Sequence, residues 1–539
     1  MKSKIKSAGL AAIFIIAVLI VSSCEKKPIT LTGPLTNIKD IKAYLDSHKM
    51  TINHKGRPLL LPVAFNEGLG VMTSQDSLWL QLLSVIAETK LYLNLDLSLC
   101  EMEPNGIFDP VNRFSAGKAN IVSITLPNTA YRIADSNSDN AAFEHFTLLN
   151  KITGENIVHI GDRAFYRMNG LVSAEFPKAQ YIGGEAFFGC KVLETADFLM
   201  AEIIEKKAFA YTNLLHANFP EATTIGADAF YDCKNLQKAD IPKAQYIGET
   251  AFYNCRELLS INLPQAISIG DSVFVSCEKL SEVSFPAAAK IGEGTFVFCP
   301  SLVSFILTGE GNLDVLEDGK ALIRNTHDGI ELLAYPSAAG KIEMNAITKI
   351  AAYALSHCYN LLEVRFPAVT IIGENGFFSC FSLVSADFPS LKIVSRGAFD
   401  QLTELSSVNI PSVRTIEEGA FKDCLKLESI NISSVEYIES EAFAITLYVD
   451  FPVGDLNITL GHTAPNLGVN IFFEAAKTVN VFVPRTARGY GDIPAVYEGD
   501  DTSQNWGNGF RGKGWDGFIG GYNVGAVNPN ITVNINFSR

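Results

Sequence analysis

Apolar residues recur along most of the chain with a period of about 22 residues. The clearest marker is a phenylalanine, whose successive spacings in one stretch are 22, 22, 21, 22, 22 and 22 residues. That stretch contains Phe165, Phe187, Phe209, Phe230, Phe252, Phe274 and Phe296, and a later stretch contains Leu355, Phe377, Phe399, Phe421 and Phe443. Phe143 extends the first stretch upstream by one more period. A fixed period of this length predicts a solenoid of repeated coils.

The residues around each phenylalanine repeat as well and indicate how one coil is built. In the coil of Phe252, a Leu-x-x-apolar-x-apolar-Pro stretch ends at Pro264 and predicts a short strand with alternating inward and outward residues. Proline ends the strand because it lacks a backbone donor. Gly248 allows a tight corner, and Ala251-Phe252 predicts a short helical turn that directs the ring into the core. No coil can bury its apolar residues alone, so neighbouring coils must stack.

The consensus I-G-x-x-A-F-x-x-C-x-x-L-x-x-V-x-I-P resembles the BspA-like, surface-antigen type of leucine-rich repeat. The resemblance covers roughly residues 90–450. The fold class expected from it is an α+β repeat: a leucine-rich-repeat solenoid, wound as a right-handed superhelix of roughly 22-residue coils, with an N-terminal cap and a small β-rich C-terminal domain. The resemblance also implies lipoprotein or cell-surface proteins used in adhesion and in host or matrix binding, and it names no ligand.

The pattern divides the chain into six predicted segments. They are a lipoprotein signal peptide (1–23), a tether with a helical N-terminal cap (24–89), a first array of leucine-rich repeats (90–305), a hairpin insertion (306–346), a second array (347–450) and a β-rich C-terminal domain (451–539). The last segment contains two strand-like runs, Val479 to Val483 and Ile531 to Phe537.

The cap and the insertion rest on local patterns. Ile38, Ile41, Tyr44 and Leu45 predict an amphipathic helix, and 78–87 predicts a more buried one. The alternating leucines of 91–99 predict a strand, which together with the helices would cover the open end of the solenoid, unless they form a separate small domain. In the insertion, 321–323 and 330–333 flank a turn-forming stretch and predict a hairpin, which could bind a partner or simply elaborate a loop.

The N-terminus predicts export and a lipid anchor. Three lysines precede an apolar run that is too short to cross a bilayer as a permanent transmembrane helix. The run ends in Val21-Ser22-Ser23-Cys24, which resembles the bacterial lipobox, whose cysteine thiol receives diacylglycerol. The alternative is an ordinary signal peptide with a chance cysteine. We therefore predict an outer-membrane lipoprotein that is held by its lipid chains alone and attached at Cys24. It is expected at the cell surface, and the alternative is the periplasmic side of the outer membrane.

The net charge and the absence of known catalytic and nucleotide-binding motifs exclude several classes of ligand and activity. The formal net charge of −15 disfavours nucleic acid, because an acidic surface repels phosphate. Gly507-x-x-x-x-Gly512-Lys513 falls short of a P-loop, since Gly514 stands where Ser or Thr must bind magnesium; no nucleotide and no cofactor are expected. The eight histidines are scattered without an HExxH motif, and no GxSxG motif occurs, so no metal site, no catalytic residue and no enzyme activity are predicted.

Eight cysteines fall three residues after the repeat's phenylalanine or leucine. Met168, Thr212, Leu402 and Thr446 fill the same position in other coils. A position that accepts these residues is a packing position, so the cysteines are expected to be buried thiols. Strand spacing also permits disulfides between neighbouring coils.

One polar line along the predicted strands is a candidate binding stripe. The outward residue between the last two apolar strand positions gives Glu175, Asp197, Asn218, Asp240 and Asn262. Three carboxylates at strand spacing repel one another, so a basic partner would relieve them; the alternative is a merely solvated face. A second line follows the core phenylalanine and could be exposed contact surface or second-layer packing: Tyr166, Phe188, Tyr231 and Tyr253.

The leading functional hypothesis is a non-enzymatic surface lipoprotein that binds a protein or glycan ligand through the solenoid face. One alternative is a structural spacer that presents the C-terminal domain. The other is a hydrolase within that terminal domain, where 451–539 departs from the repeat.

Overall fold

The computed structural model describes residues 30–49, 51, 53–102, 106–110, 116–136, 141–446, 454–463, 465–467, 471, 478–484 and 532–538. Cys24 and the glycine-rich stretch around 506–515 lie outside the described residues. The chain forms two compact units, residues 1–221 and 222–539.

Unit one begins with the two predicted helices, which are confirmed as α1 (Ile38–His48) and α2 (Leu78–Thr89). The side chain of Asn37 accepts the Asp40 amide at the start of α1, and Ser77 accepts the Leu80 amide at the start of α2. Such caps satisfy amides that lack a partner within the helix. A short 3-10 helix spans Lys118–Asn120.

The strands of unit one are short and mostly two or three residues long. They are β1 (Leu59–Pro62), β2 (Leu93–Asp96), β3 (Ile107–Phe108), β4 (Ile121–Thr125), β5 (Arg132–Ile133), β6 (Lys151–Thr153), β7 (His159–Ile160), β8 (Ser173–Glu175), β9 (Tyr181–Ile182), β10 (Thr195–Asp197), β11 (Ile203–Ile204) and β12 (His216–Asn218). A five-stranded sheet has the order β1-β2-β4-β6-β8, β10 pairs with β12, and a second ladder runs β3-β5-β7-β9-β11. All of these pairings are parallel. The strand predicted at 91–99 is confirmed as β2, which pairs with β4 in the sheet of the coils.

Unit two continues the same pattern with longer strands around the insertion. They are β13 (Thr224–Ile225), β14 (Lys238–Asp240), β15 (Tyr246–Ile247), β16 (Ser260–Asn262), β17 (Ser268–Ile269), β18 (Glu282–Pro286), β19 (Lys290–Ile291), β20 (Ser304–Thr308), β21 (Leu313–Leu316), β22 (Ala321–Thr326), β23 (Gly329–Ala334), β24 (Ala339–Glu343), β25 (Ile347–Ile350), β26 (Asn360–Arg365), β27 (Ile371–Ile372), β28 (Ser385–Asp387), β29 (Ile393–Val394), β30 (Ser407–Asn409), β31 (Thr415–Ile416), β32 (Ser429–Asn431), β33 (Tyr437–Ile438), β34 (Leu456–Thr459), β35 (Asn466–Leu467), β36 (Thr478–Pro484) and β37 (Thr532–Ser538). A second 3-10 helix spans Glu317–Gly319.

The predicted hairpin of the insertion is confirmed. Strands β22 and β23 pair antiparallel around the turn at His327-Asp328, and β21 pairs antiparallel with β22. From β23 onward the parallel ladder resumes as β25-β27-β29-β31-β33-β35. A parallel eight-stranded sheet, β24-β26-β28-β30-β32-β34-β36-β37, forms the other side of these coils.

The described C-terminal strands, for which a small β-rich domain abutting the last coil was predicted, continue the sheet of the second array. β34, β36 and β37 add to the edge of the sheet that carries the second array, each by parallel pairing. The predicted boundary at residue 450 therefore does not interrupt this sheet, because backbone pairing continues after the 22-residue period is lost.

The repeat phenylalanines form the core. Phe230, Phe252, Phe274 and Phe296 stack on one another with ring centroids 5.1–5.7 Å apart, and all are buried. Unit one has the same ladder from Phe143 to Phe209. Inside each ladder a ring such as Phe187 or Phe252 is covered by the rings of the coils before and after it, which is the physical reason for the fixed spacing.

The predicted helical turn around this phenylalanine is wrong. In the coil of Phe252, Thr250 and Asn254 have φ values of 53° and 59°, in the left-handed region, and the same two positions are left-handed in nearly every coil. The segment consists of three successive tight turns, closed by the amides of Ala251, Tyr253 and Cys255. It bonds to the next coil through the Phe252 N–H, which donates to the Val273 carbonyl at 3.0 Å. Alternating backbone handedness prevents a helix and gives each coil a third row of hydrogen bonds between coils.

Candidate functional site

The strands present the predicted stripe residues on their outward side. In β10 the central Ala196 is buried, whereas Thr195 and Asp197 are exposed. The same alternation holds in β16, where Ile261 is buried and Asn262 is exposed. A three-residue strand with a buried centre leaves both flanking side chains available to solvent.

In unit one the structure brings together Asp197 and Asn218, which are paired in register. The Asn218 amide donates to the Asp197 carboxylate at 3.3 Å. Glu175 belongs to a different sheet, since β8 ends one sheet and β10 begins another. Its carboxylate accepts from Lys151 Nζ at 2.6 Å, and this hydrogen bond lowers the pKa of Glu175.

In unit two the acidic member of the stripe is also paired. The Asp240 carboxylate lies 2.5 Å from Lys238 Nζ. Asn262 is in register with Ser284 of the next strand. Lysines therefore offset much of the carboxylate repulsion on which the expectation of a basic partner rested.

The second array carries a corresponding outward line. Arg365 forms ion pairs with Glu343, at 3.4 Å, and with Asp387. The Asn409 amide then donates to Asp387 at 2.7 Å. Charges in this line alternate along successive coils, so the line is close to neutral.

The second predicted line, of aromatic residues after the core phenylalanine, consists of half-buried stacked rings. Tyr166 stacks on Phe188 with centroids 5.0 Å apart, and Tyr231 stacks on Tyr253 at 4.8 Å. The Arg163 guanidinium lies 4.2 Å from the Tyr166 ring centroid. These rings pack as a second layer whose outer parts still reach solvent.

A more exposed apolar row, missed by the sequence reasoning, lies in the second array. We call Tyr359, Leu362, Phe381 and Val384 the aromatic ridge. They are 37%, 48%, 39% and 42% exposed, and the two rings stack at 5.4 Å with an interplanar angle of 7°. The signal was present: each ring follows a repeat cysteine, each aliphatic residue follows a repeat leucine, and both pairs are 22 residues apart.

The repeat cysteines are buried and also make a specific hydrogen bond. Most of these thiols donate to the carbonyl of the phenylalanine or leucine in the preceding coil, for example Cys277 to Phe252 at 3.2 Å and Cys380 to Leu355 at 3.0 Å, whereas Cys358 donates to the Tyr335 carbonyl at 3.3 Å. Burial raises the pKa of Cys190 to about 12 and also raises that of Cys299 to about 12. These thiols are therefore protonated and shielded at neutral pH.

The described part of the chain contains neither a clustered metal site nor a membrane-spanning helix. Within it, no group of three or more His, Cys, Asp or Glu side chains has the arrangement of a metal site. None of the helices in those same residues has both the length and the apolar character required to cross a membrane.

Stacked coils with short parallel strands, a phenylalanine ladder and a period of about 22 residues define a leucine-rich-repeat solenoid. The chain belongs to the BspA-type leucine-rich-repeat family. The family model, described as a BspA type leucine rich repeat region, matches in six copies over residues 111–223, 202–317 and 338–449, which together make up more than half of the chain. This confirms the resemblance drawn from the consensus. Proteins of this family are typically surface proteins, often involved in binding and typically non-enzymatic.

Solved structures of bacterial leucine-rich-repeat proteins are similar to this chain. A leucine-rich repeat protein from Bacteroides ovatus is 19% identical, with 72% of this chain and 90% of that chain covered and a TM-score of 0.42. A leucine rich cell surface protein from Faecalibacterium prausnitzii is 17% identical, with 64% and 87% covered and a TM-score of 0.37. A leucine-rich repeat protein from Eubacterium ventriosum is 16% identical, with 60% and 83% covered and a TM-score of 0.38. No curated protein matches the chain.

Proposed function

We propose that the chain is a lipid-anchored protein of the outer membrane, facing outward, that binds a protein or glycan ligand through the outward side chains of its strands and catalyses no reaction. The observation that carries this proposal is the repetition of outward positions in successive coils. In the second array, Arg365, Asp387 and Asn409 occupy one such line in register. A surface repeated on a packed scaffold supports extended contact, whereas catalysis needs several groups that converge on one point.

The anchor is supported by the sequence at Cys24. Lipid chains attached there would insert into a membrane surface, and the polar residues that follow would act as a tether. With this attachment, the repeats would be held close to the membrane and would be presented to ligands outside it.

Changing Cys24→Ala tests the anchor. We expect the variant to be released from membranes or to remain unprocessed, because no thiol is left to receive diacylglycerol. The measurement is membrane fractionation with lipid labelling, and Ser23→Ala, which keeps a small residue in the lipobox, is the matched control. A Cys24→Ala protein that still carries labelled lipid would contradict the assignment.

Protease shaving of intact cells tests the outward orientation and the binding role. Wild-type protein should be cleaved on whole cells, and ligand capture by those cells should fall in parallel. Protection of the protein on intact cells, with cleavage only after lysis, would contradict a surface role.

A further inference from the structure

We infer that the aromatic ridge of the second array binds a neutral, linear glycan. This inference rests on the proposed function of the solenoid as a binding surface and specifies which face is used and which ligand class it takes. The ridge lies entirely within unit two, in coils whose ladders of paired strands run without interruption from β24 to β37.

The ridge is a contiguous apolar row in consecutive coils. The Val384 amide donates to the Leu362 carbonyl at 2.9 Å, which fixes these two residues side by side. Tyr359 and Phe381 stack beside them. Exposed apolar side chains that cluster in this way, unlike single scattered ones, mark an interaction surface.

Aromatic residues outside the ridge pack against one end of it. Phe298 of the coil before the insertion lies 5.7 Å from the Tyr359 ring and 5.6 Å from the His357 ring. Burial lowers the pKa of His357, so its imidazole is neutral at neutral pH. The ridge is therefore fixed by aromatic packing at this end and has no cationic group of its own there.

A row of small polar side chains begins next to the ridge, directly after Val384, and continues along the next two strands of the same sheet. Ser385, Ser407 and Ser429 are in register on β28, β30 and β32. Hydroxyl groups in such a row can both donate and accept hydrogen bonds. Because adjacent strands lie about 4.8 Å apart, the row repeats its donors and acceptors at a regular short interval.

The charged groups next to these rows are already paired with each other. Lys341 lies 3.1 Å from Glu363, and Arg365 pairs with Glu343 and Asp387. A charged polymer would therefore gain little from this face, whereas an uncharged ligand would match its balance of charge.

The size of the apolar contact favours a narrow ligand. A stable protein interface buries about 800 Å² on each partner around fully packed anchors. The four partly exposed side chains of the ridge, two in each of two neighbouring coils, form a patch that is much smaller than that. A linear glycan presents C–H faces for the rings and hydroxyls for the serine row, and its repeating units suit a repeating surface.

Affinity electrophoresis of the folded chain tests the inference. Gels would contain a neutral polysaccharide (linear β-glucan, xylan or mannan) or a charged one (polygalacturonate or chitosan). We expect retardation of the wild type by at least one neutral polymer, unchanged by added salt. The double variant Tyr359→Ala with Phe381→Ala should bind that polymer about tenfold more weakly or worse. The double variant Leu362→Ser with Val384→Ser should show a similar loss.

The matched control is the double variant Tyr246→Ala with Tyr437→Ala, which changes aromatic residues that are 50% and 51% exposed outside the ridge. Its affinity for the polymer should equal that of the wild type.

Three results would overturn the glycan assignment. They are no retardation by any neutral polymer, retardation by charged polymers alone, and equal retardation of wild type and both ridge variants. If the ridge variants instead lose binding to a protein ligand, the ridge is a protein site and the proposed binding function still stands. If the protein is protected from protease on intact cells, the proposed surface function is contradicted. The gel experiment uses the isolated chain, so its result on glycan binding does not depend on that outcome.

Discussion

At the scale of single residues, the core phenylalanine has the greatest effect on stability. Phe252 is fully buried and lies between the rings of Phe230 and Phe274, at 5.1 and 5.6 Å. Neighbouring coils cannot close around the space that its removal leaves, because each is fixed by its own ring. The aromatic ladder therefore resists collapse at any single coil.

Changing Phe252→Ala should lower the free energy of unfolding by about 3–5 kcal/mol, from lost burial plus the cavity. Thermal or urea unfolding measures this. Tyr246→Ala removes an aromatic side chain that is 50% exposed and should cost at most about 1 kcal/mol. Equal effects of the two changes would show that Phe252 is not a core residue.

The left-handed residues offer a stabilising change. Ser276 has a φ of 60° and uses its amide to bond the Val297 carbonyl at 3.0 Å. Glycine adopts this conformation without a steric penalty, whereas other residues lose about 1–2 kcal/mol. Glycine also has more conformational entropy in the unfolded chain, which offsets part of this gain. Ser276→Gly should therefore raise the free energy of unfolding by about 0.5–1 kcal/mol.

The control for this change is Ser268→Gly in strand β17. There the backbone is extended, so glycine brings only its entropic cost and should destabilise by about 0.5–1 kcal/mol. Opposite signs at the two serines are the expected result of the denaturation measurement. A loss of stability at Ser276 would mean that the turn segment is not left-handed there.

At the scale of elements, the turn segments near the end of the second array enclose a carboxyl pair. Asp423 is buried and accepts hydrogen bonds from the amide and hydroxyl of Thr446. Burial, and then the charge of Asp423, raise the pKa of Asp400 to about 7. Its Oδ1 atom is buried and has no hydrogen-bond partner among the residues that the structure describes.

A raised carboxyl pKa gives a definite sign to the pH dependence. The unfolded carboxyl titrates near 3.9, so between about pH 4 and 7 the folded chain holds a proton that the unfolded chain has lost. The contribution of Asp400 to the free energy of unfolding therefore grows as pH falls through about 7 and levels off below about 4. Asp400→Asn should be more stable than wild type at pH 8 and should remove this slope.

Unfolding of wild type and Asp400→Asn at a series of pH values checks this contribution. Asp328→Asn, at a residue whose side chain is 80% exposed in the hairpin turn, removes the same charge and should leave the slope unchanged. Parallel curves for wild type and Asp400→Asn would mean that Asp400 titrates normally in the folded chain.

The sequence predicted elements well where periodicity was unambiguous. α1, α2, β2 and the hairpin were identified from apolar spacing and turn residues, because each pattern spans enough residues to exclude others. The two-residue strands, such as Tyr246–Ile247, were not predicted, since so short a run before glycine looks like a corner. The helical turn was wrong because left-handed backbone at Thr250 and Asn254 leaves little trace in residue type: threonine rarely adopts it.

The hydrogen bonds of the buried thiols could not be predicted from the residue types at the cysteine position. Cys, Met, Thr and Leu at one repeat position indicate only a buried site of similar size. The acceptor of the Cys277 thiol is the carbonyl of Phe252, 25 residues earlier, and becomes evident only when the coils are stacked. Likewise, the lysines that pair with Glu175 and Asp240 lie on the strands themselves and were not considered as partners.

At the scale of the whole molecule, the net charge of −15 makes the acidic stripe a second candidate contact surface. Asp197→Asn together with Asp240→Asn should leave the melting midpoint nearly unchanged, because exposed ion pairs contribute about 0–1 kcal/mol. If the stripe binds basic ligands, the double variant should bind polylysine more weakly than wild type, and the difference should shrink as salt rises.

The matched control for the stripe is again Asp328→Asn, which removes a carboxylate remote from the strand face. Polylysine titrations monitored by light scattering or calorimetry would compare the three proteins. If the control loses as much affinity for polylysine as the double variant, the binding reflects only the net charge of the protein. If the double variant loses no affinity, the stripe is only a solvated face.

The thiol-to-carbonyl bond and the left-handed turns also bear on how such a chain can change over generations. A repeat cysteine donates its thiol to a carbonyl of the coil before it, and the left-handed turns donate their amides to carbonyls of the coil after them, so adjoining coils are interchangeable at their junctions. Duplication or deletion of a gene segment that encodes one whole coil would leave every junction satisfied, wherever the break falls. Lineages could thus lengthen or shorten the array by one full coil at a time. A partial coil would leave its thiol without a carbonyl acceptor and its phenylalanine without a ring to stack on.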